Sequence, residues 1–299
     1  MAAQPNPISG AETAVHRYHA SSYALSASLT EPIEREVEAQ ADLKIDEVSN
    51  GKKVYKYQPA SSYQVEGILS YKSGYTQIAG HKSPKPGHGF VTLATSVLEG
   101  LNVLDVVTAD RVVGQISTEH PLYGDGQVPS VTFLGTRFVN LRIGGHKVEV
   151  EEDLNILGPR HDDDRSYLED EEVLSRIERQ YKNVRSAAGN GDWADDKYRW
   201  DPASVQREGT ANCSLVTGIK GLPNGISFGH VIDLPHFGKI FLGELSVDRN
   251  RAKTRDENDT YHFHLRMVRL EMGCLAQGKT TAVALSSNGT GSGGGGGGH

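Results

Sequence analysis

Two short stretches of the sequence match patterns that carry chemistry in other folds. Residues 273–280 match the phosphate-binding pattern G-x-x-x-x-G-K-T, and residues 225–229 match the nucleophile pattern G-x-S-x-G, with His230 next to it. The first pattern needs a helix whose N-terminus faces the phosphates, and the second needs a serine between a strand and a helix. The residues around both stretches are typical of turns and strands instead. We therefore predict no catalytic residue, no nucleotide site and no cofactor.

Two sets of side chains have the chemistry of metal ligands. His262 and His264 are two residues apart and share one face of a predicted strand, but the sequence identifies no third ligand for them. A second set is acidic and consists of Asp162, Asp163, Asp164, Asp192, Asp195 and Asp196. The spacing of these acids does not match an EF-hand loop. We interpret both sets as surface residues and predict no metal site, with Ca²⁺ at the acidic segment as the alternative.

Glu244 and Glu271 are the residues on which a hydrolase interpretation depends. Each lies in a long predicted strand, and a glycosidase needs two carboxyl groups about 5–10 Å apart, a separation that neighbouring strands provide. An ordinary salt bridge within the sheet explains Glu244 equally well. We therefore keep a β-sandwich hydrolase with paired carboxylates as the alternative to a protein without enzymatic activity.

The elements that would position these carboxylates are two long strands near the C-terminus. Residues 239–247 and 261–272 alternate apolar and polar side chains and predict a hairpin at the centre of a sheet. In the second strand the apolar phase changes between Met267 and Val268, which predicts a bulge there. Residues 280–285 predict a short edge strand.

The N-terminal half also has the pattern of a β protein. Residues 36–46 alternate strictly and predict one strand, and the turn signal at residues 50–51 predicts a hairpin with residues 53–57. Gly144 and Gly145 separate two β-branched runs and predict a further hairpin. Repeated strands with turns between them predict a mainly β fold, an antiparallel β-sandwich or a barrel-like structure.

One segment, residues 158–200, interrupts this pattern with an amphipathic helix. Ser166 and Glu169 form a capping-box pattern, and the helix is predicted to end at Gly189 or Gly191. The helical stripe consists of Val173, Leu174, Ile177, Tyr181 and Val184. Residues 151–200 hold 14 acidic and 8 basic side chains, a net charge of −6 in a chain whose net charge is −7.

The inserted segment also carries the aromatic residues that we select as interface candidates: Tyr181, Trp193, Tyr198 and Trp200. Both tryptophans of the protein are in this group, and large aromatic side chains beside charges are typical of interface hot spots. The competing interpretation is that these rings, together with Tyr167, anchor the helix to the sheet. Both interpretations stay open at this point.

The composition bounds the organisation and the partners of the chain. We predict a β-rich part at residues 1–157, the helical insertion at 158–200, a β-rich part completing the same domain at 201–285, and a flexible Gly-rich tail at 286–299. No basic stripe is present, which argues against nucleic acid, and no apolar run reaches the roughly 20 residues of a membrane span. The N-terminus lacks a signal peptide, so we expect a cytoplasmic protein, with export as the alternative if a leader was removed.

The two cysteines, Cys213 and Cys274, do not have the spacing of metal ligands or of a redox pair. In a chain expected to be cytoplasmic, buried and reduced thiols are the simplest interpretation. We therefore predict that both side chains lie in the core.

Three stretches, residues 100–111, 129–138 and 228–244, together with the Gly-rich tail, resemble a set of uncharacterised bacterial proteins. The resemblance implies a bacterial origin and a natural tail, and it transfers no activity and no site residues. Our expectation from the sequence is a non-enzymatic β-domain protein with a binding or structural role. Its expected partner is a protein or a glycan.

Overall fold

The computed structural model describes residues 16–49, 52–85, 88–121, 128–161, 165–189, 192–251, 259–273 and 276–289. Within these ranges the chain forms 21 strands and three helices and is mainly β, as predicted.

The strands up to the helical segment are β1 (His16–Glu31), β2 (Arg35–Gln40), β3 (Leu43–Ser49), β4 (Val54–Ala60), β5 (Tyr63–Val65), β6 (Leu69–Tyr71), β7 (Ser73–Lys82), β8 (Phe90–Val103), β9 (Val107–His120), β10 (Ser130–Thr132), β11 (Arg137–Val139), β12 (Arg142–Ile143), β13 (His146–Lys147) and β14 (Glu149–Glu152). The helices are α1 (Glu171–Ala188), α2 (Asp192–Lys197) and α3 (Pro202–Glu208). The remaining strands are β15 (Thr210–Ser214), β16 (Val216–Lys220), β17 (Ser227–Phe228), β18 (Val231–Leu234), β19 (Gly238–Asn250), β20 (Thr260–Gly273) and β21 (Gln277–Gly289).

Two large antiparallel sheets form a sandwich-like fold that is not closed into a barrel. Sheet A has the order β17-β18-β19-β20-β21-β1-β2, with β15 also beside β19 and β3 also beside β1. Sheet B has the order β13-β12-β9-β8-β6-β5, with β10 and β11 also on β9, and with β7 between β8 and β4. Strands β14 and β16 form a separate pair. Because β1 lies between β21 and β2, the first and the last described strands pair in sheet A.

The two sheets meet most closely where β1 and β21 of sheet A cross β8 and β9 of sheet B. Gly114 on β9 lies at this crossing. A Cβ atom on Gly114 would lie 2.5 Å from Leu285 Cδ1 and 2.7 Å from Val283 Cγ1, which is far inside van der Waals contact. The absence of a side chain at this position therefore sets how closely the sheets approach.

Along one line that crosses its central strands, the side chains of sheet A change the face to which they point, and we call this line the bend. Met267 and Val268 are consecutive and yet both belong to the main core, so the inward phase of β20 changes between them. The strands that flank β20 have positive φ angles at the level of Met267: +62° at Gly243 in β19 and +56° at Val283 in β21. The pairing offset of β19 and β20 is the same on both sides of this line. The predicted phase change is therefore present, but no residue is inserted as a bulge would require.

Two predicted elements of the N-terminal half differ from the structure. Residues 36–46 form two strands, β2 and β3, because Ala41 has a φ of +51° and breaks the run between them. The predicted hairpin of β3 with β4 is wrong, since β3 pairs with β1 in sheet A and β4 pairs with β7 in sheet B. Residues 50–51, which suggested the turn, lie outside the described residues. A local turn signal was outweighed by two long-range strand pairings.

Other strand predictions have mixed outcomes. The hairpin at Gly144 and Gly145 is confirmed, with φ angles of +57° and +81° and with β12 paired to β13. The long hairpin of β19 and β20 is confirmed as well. Residues 280–285 are not a short edge strand: they belong to β21, which lies between β20 and β1 and continues to Gly289. Most side chains of residues 280–285 are small, and sheet B approaches this strand closely.

The helical segment lies on the face of sheet A that points away from sheet B, which we call the outer face. Asp170 caps α1 and accepts hydrogen bonds from the backbone nitrogens of Glu172 and Val173. The predicted capping box is wrong, because Ser166 Oγ accepts from Leu168 N in a separate turn before the helix. The predicted end at Gly189 is confirmed. Helices α2 and α3 were not predicted from the sequence.

The helices and the outer face enclose a second, smaller core. It consists of Val184, Tyr198, Val231 and Phe241, with Tyr181, Trp193 and Phe228 packed against it. Ile240 and Leu242, the chain neighbours of Phe241, belong to the main core instead. This is the expected alternation of a strand that is covered on both faces. No helix in the described part of the chain has the length and apolar character needed to cross a membrane.

Candidate functional site

A cavity of about 280 Å³ lies between the helical segment and the outer face of sheet A. Its walls come from α1, from the end of α2, from β15 and from the paired strands β19 and β20. The lining residues are Tyr181, Lys197, Tyr198, Asn212, Cys213, His230, Glu244, Leu245, Ser246, Arg266 and Arg269. Most of these side chains are polar, although the cavity lies beside two apolar cores.

The bend in sheet A brings the charged residues of the cavity onto one face. Residues three apart on a regular strand point to opposite faces. Phe241 and Glu244 nevertheless both contact Arg269 on the outer face, because the positive φ of Gly243 lies between them. In the same way Arg266 and Arg269 both line the cavity, on either side of the phase change in β20. The cavity therefore depends on the bend.

Arg269 is the centre of the charge network. Its Nε lies 2.5 Å from Glu244 Oε2 and its Nη2 lies 2.8 Å from Glu244 Oε1, while its Nη1 bonds Glu271. The guanidinium also stacks on Phe241, with 3.8 Å from Cζ to the ring centroid. Burial acts to raise the pKa of Glu244, but the hydrogen bonds and the charge of Arg269 outweigh burial, and the pKa is lowered. Glu244 is therefore ionised at neutral pH.

This arrangement differs from that of a glycosidase acid–base pair. Such a pair needs one carboxyl group with a raised pKa that can give a proton to the leaving group. Here one guanidinium binds both Glu244 and Glu271. Only Glu244 lines the cavity. The structure thus brings Glu244 and Glu271 together as predicted candidates, but both carboxylates are ion-paired with Arg269.

Two further cations face the cavity and are paired less completely. Lys197 Nζ lies 3.8 Å from Glu244 Oε1 and 3.7 Å from the centroid of the Phe241 ring. Burial lowers the pKa of Lys197. Arg266 lies opposite Glu244 in the register of β19 and β20, and it forms no ion pair with any residue in the described ranges. Three cations and Glu244 line the cavity, and Glu271 binds Arg269 from outside it, so three cations face two carboxylates and the cavity keeps an excess of positive charge.

A neutral hydrogen-bonded pair forms another wall. Tyr198 Oη lies 2.9 Å from His230 Nε2, and both side chains are buried. Burial lowers the pKa of His230 to about 4 and raises the pKa of Tyr198 far above its usual value. Both groups are therefore neutral at physiological pH, and they provide hydrogen-bonding atoms without charge.

The four aromatic interface candidates lie together beside the cavity. Tyr181 contacts Tyr198 and Trp200 edge to face, with ring centroids 5.3 Å and 5.4 Å apart. Trp193 contacts Tyr198 at 6.1 Å. Tyr181 and Tyr198 line the cavity, whereas the two tryptophans pack behind them. The rings thus hold the helical segment on the sheet and also shape the cavity, and their use as a partner interface stays a prediction.

The serine and phosphate patterns do not form sites in the structure. Ser227 lies in the short strand β17, and His230 bonds Tyr198 instead of this serine. Gly278 and Lys279 lie in β21, so the conserved end of the phosphate pattern is extended strand and not the start of a helix. Cys213 is buried as predicted, and burial raises the pKa of its thiol to about 12. Cys274 lies outside the described residues.

The structure also shows where several of the candidate metal ligands lie. His262 and His264 lie side by side on the outer face of β20, with nearly parallel rings 6.2 Å apart. Asp195 is paired with Arg185, and Asp162, Asp163 and Asp164 lie outside the described residues. Within the described part of the chain, no group of three or more histidine, cysteine or acidic side chains has a geometry suited to a metal ion.

Sequence reasoning missed Lys197, Arg266 and Arg269. A signal for the two arginines was available, because they interrupt the apolar run of a strand predicted to be central. A charge in such a strand is paired or functional. Lys197 gave no comparable signal, since it lies among many charged residues of the helical segment.

Comparison with known families and proteins gives one match. A family model described as a domain of unknown function (DUF8256) matches residues 16–248. This range contains all three helices and the sequence from β1 into β19, while β20 and its two cavity arginines follow it. No curated protein and no solved structure matches the chain.

Proposed function

The chain belongs to the family described as a domain of unknown function (DUF8256), and we propose that this member is a non-enzymatic binding protein. Its ligand is a small organic anion, of the carboxylate or phosphate type, held in the cavity between the helical segment and sheet A.

The observation that carries this proposal is an excess of positive charge in a cavity of an acidic protein. The chain has a net charge of −7. Arg269 binds both oxygens of Glu244, so this carboxylate is not available to neutralise Lys197 and Arg266 fully. An anion between these two cations would form charge-assisted hydrogen bonds, which are stronger than neutral ones. Hydrogen-bonding groups of Tyr198, Asn212 and Ser246, which also line the cavity, suit a ligand that carries hydroxyl groups as well.

The hydrolase alternative has weaker support. A hydrolase would require an acid that keeps its proton near neutral pH. Arg269 holds the pKa of Glu244 below its usual value, and Glu271 does not line the cavity. The buried His230 is neutral and bonded to Tyr198. Glu244 stays ionised and His230 stays neutral at physiological pH, so neither is suited to exchange a proton, which favours binding over hydrolysis.

Calorimetric titration with D-galacturonate tests the proposal, with D-galactose as the neutral control. We expect galacturonate alone to bind. Lys197→Gln and Arg266→Gln should each weaken this binding at least about tenfold, because a charge-assisted hydrogen bond contributes about 1.5–3 kcal/mol. Arg142→Gln is the matched control, since it removes one positive charge from an exposed residue of sheet B. Absence of galacturonate binding, or an equal effect of all three variants, would contradict the proposal.

A further inference from the structure

Sheet B has a side that points away from sheet A. On β7 the even-numbered residues face sheet A: Thr76 donates a hydrogen bond to the backbone oxygen of Ala41, and a Cβ atom on Gly80 would lie 2.7 Å from the ring of Tyr18. Successive residues of a strand point to opposite faces. The odd-numbered residues of β7, and the residues of β4 that pair with them, therefore point away from sheet A.

Three tyrosines stand on this side of sheet B, Tyr55 and Tyr57 on β4 and Tyr75 on β7. Tyr55 is 65% exposed and Tyr57 is 49% exposed, whereas the only other exposed large apolar side chains in the described part of the chain are Val48 and Leu134. The ring centroids of Tyr57 and Tyr75 are 5.6 Å apart, with 33° between the ring planes. The tyrosines thus form an open aromatic surface.

The strand register extends this surface into three rows of uncharged side chains, which we call the tyrosine face. Residues that pair directly across β4, β7, β8 and β9 stand side by side on one face. The rows are Tyr55, Ala79, Leu93 and Ser117; Tyr57, Gln77, Thr95 and Gln115; and Pro59, Tyr75, Val97 and Val113. Every member of the middle row can form hydrogen bonds, and the other two rows are mainly apolar.

Charged side chains begin in the rows beyond the tyrosine face. The next row on one side contains Glu99, which accepts a hydrogen bond from Arg111. The next row on the other side contains His81 and Glu119, and Glu119 bonds His88. A ligand that covers the three rows therefore needs no charge of its own. This argues against a nucleic acid, because the aromatic platforms that stack bases lie in positively charged grooves.

Strand β4 pairs only with β7 among the described strands, and its free edge is poorly suited to an added strand. Pro59 has no N–H group to donate. Lys56 points to the inner side of the sheet, where its Nζ lies 2.7 Å from Glu47 Oε1 on β3. Proline and inward-pointing charges are features that keep edge strands from pairing with other chains. A partner is therefore expected to contact the tyrosine rings and not the strand edge.

The chemistry of the rows fits a ligand with apolar ring faces and many hydroxyl groups. Tyrosine rings offer large flat contact areas, and the amides of Gln77 and Gln115 need hydrogen-bonding partners when a ligand covers them. A neutral sugar chain provides both, because the C–H groups of each unit form an apolar face and hydroxyl groups surround its edge. Units joined through equatorial bonds form an extended chain with flat ring faces, which suits the side of a sheet.

We propose that the tyrosine face binds a neutral polysaccharide whose sugar rings lie flat along an extended chain. The rings of Tyr55 and Tyr57 stack on sugar rings, and Gln77 and Gln115 bond the hydroxyl groups of the chain. A monosaccharide covers one ring alone, so the site requires a chain. This surface belongs to sheet B and the cavity to sheet A, so the proposal does not depend on anion binding in the cavity.

Calorimetric titration of the full chain with cellohexaose, mannohexaose and xylohexaose tests this proposal. We expect at least one of these neutral chains to bind, and we expect the double variant Tyr55→Ala, Tyr57→Ala to weaken its binding at least about tenfold, because two large rings lose their contact with it. The double variant Tyr55→Phe, Tyr57→Phe keeps the rings and should keep the affinity within about threefold. Val48→Ala is the matched control, since Val48 is an exposed apolar residue of sheet A, and it should leave the affinity unchanged.

Competition and assembly state complete the test. Excess D-galacturonate should not displace the bound hexasaccharide, because the two ligands occupy different sheets. The proposal is wrong if none of the three hexasaccharides binds, if the alanine variant binds as tightly as the wild type, or if D-galacturonate displaces the chain. A dimer in sedimentation experiments that the alanine variant dissociates would instead assign the tyrosine face to a second copy of this protein.

Discussion

The side-chain amide of Gln180 on α1 and the backbone of Ser214 on β15 exchange two hydrogen bonds. Gln180 Nε2 donates to Ser214 O at 2.7 Å, and Ser214 N donates to Gln180 Oε1 at 2.9 Å. Both residues are buried. The amide thus satisfies the backbone of β15 as a neighbouring strand would, and it fixes the helical segment beside the cavity.

Removing this amide should destabilise the protein. Gln180→Ala leaves a buried N–H and a buried C=O of Ser214 without partners, and each such group costs about 1–3 kcal/mol. We expect the free energy of unfolding, measured in urea, to fall by about 2–6 kcal/mol. Gln206→Ala on the exposed face of α3 is the matched control and should change it by less than about 0.5 kcal/mol. Equal effects of the two variants would show that the two bonds contribute nothing.

Replacing Arg269 should destabilise the protein, because its guanidinium pairs with two carboxylates. In Arg269→Met, the buried Glu244 loses both of its hydrogen bonds to the guanidinium. Breaking a buried ion pair in this way costs about 3–5 kcal/mol. The double variant Arg269→Met, Glu244→Leu should recover much of this loss, because the carboxylate that depends on the guanidinium is removed together with it. A double variant no more stable than the single one would contradict the pairing.

The pH dependence of this ion pair follows from the lowered pKa of Glu244. Its stabilisation is fully present above the pKa of the unfolded state, and it is lost as the pH falls through the lower pKa of the folded state. In the Glu244→Leu background, this part of the acid sensitivity should disappear.

The bend at Gly243 should be required for the cavity. Gly243→Ala places a Cβ at a φ of +62° and 3.0 Å from Val216 Cγ2. Gly145→Ala is a close control, because its φ is +81° and an added Cβ meets no atom of the described residues within 4 Å. A positive φ costs a residue with a side chain about 1–2 kcal/mol. We expect Gly145→Ala to lose about this amount in urea unfolding, and Gly243→Ala to lose more and to weaken galacturonate binding.

The change of face at Gly243 also shows which features of the structure could be predicted from the sequence and which could not. Helical periodicity predicted the apolar stripe of α1, and strand periodicity predicted β19 and β20, since both patterns depend only on neighbours in the chain. Strand periodicity also located the phase change at Met267. It did not predict that Glu244 and Arg269 share a face, because that requires Gly243 and Val283 to distort β19 and β21, the two strands that flank β20, at one level. The pairing of β3 with β1 was missed for a related reason, as no local signal reports it.

Two buried histidines should make the fold sensitive to acid. Burial lowers the pKa of both His16 and His230 from 6.5 to about 4. The unfolded chain therefore binds more protons than the folded one between these values, and stability falls as the pH decreases from about 6.5 to 4, by up to about 3 kcal/mol for each histidine. Urea unfolding at a series of pH values measures this slope.

Single substitutions test whether His16 and His230 cause this dependence of stability on pH. His16→Gln and His230→Gln should each make the pH dependence shallower, whereas His146→Gln on the exposed strand β13 should leave it unchanged. A slope that is the same in all four proteins would mean that other groups cause the acid sensitivity.

Replacing residues 158–200 with a short Gly/Ser linker distinguishes the two interpretations of the helical segment. The segment supplies buried side chains to both cores, among them Val173, Ile177, Val184 and Tyr198. Apolar burial contributes about 1.5–3 kcal/mol for each large side chain, so with the bonds of Gln180 included the loss is comparable to the whole stability of an ordinary domain. We expect the variant to lose its cooperative thermal transition. Deletion of residues 290–299, a Gly-rich stretch, is the control and should preserve the transition. A linker variant that unfolds cooperatively at the wild-type midpoint but no longer binds galacturonate would instead identify the segment as a separate recognition module.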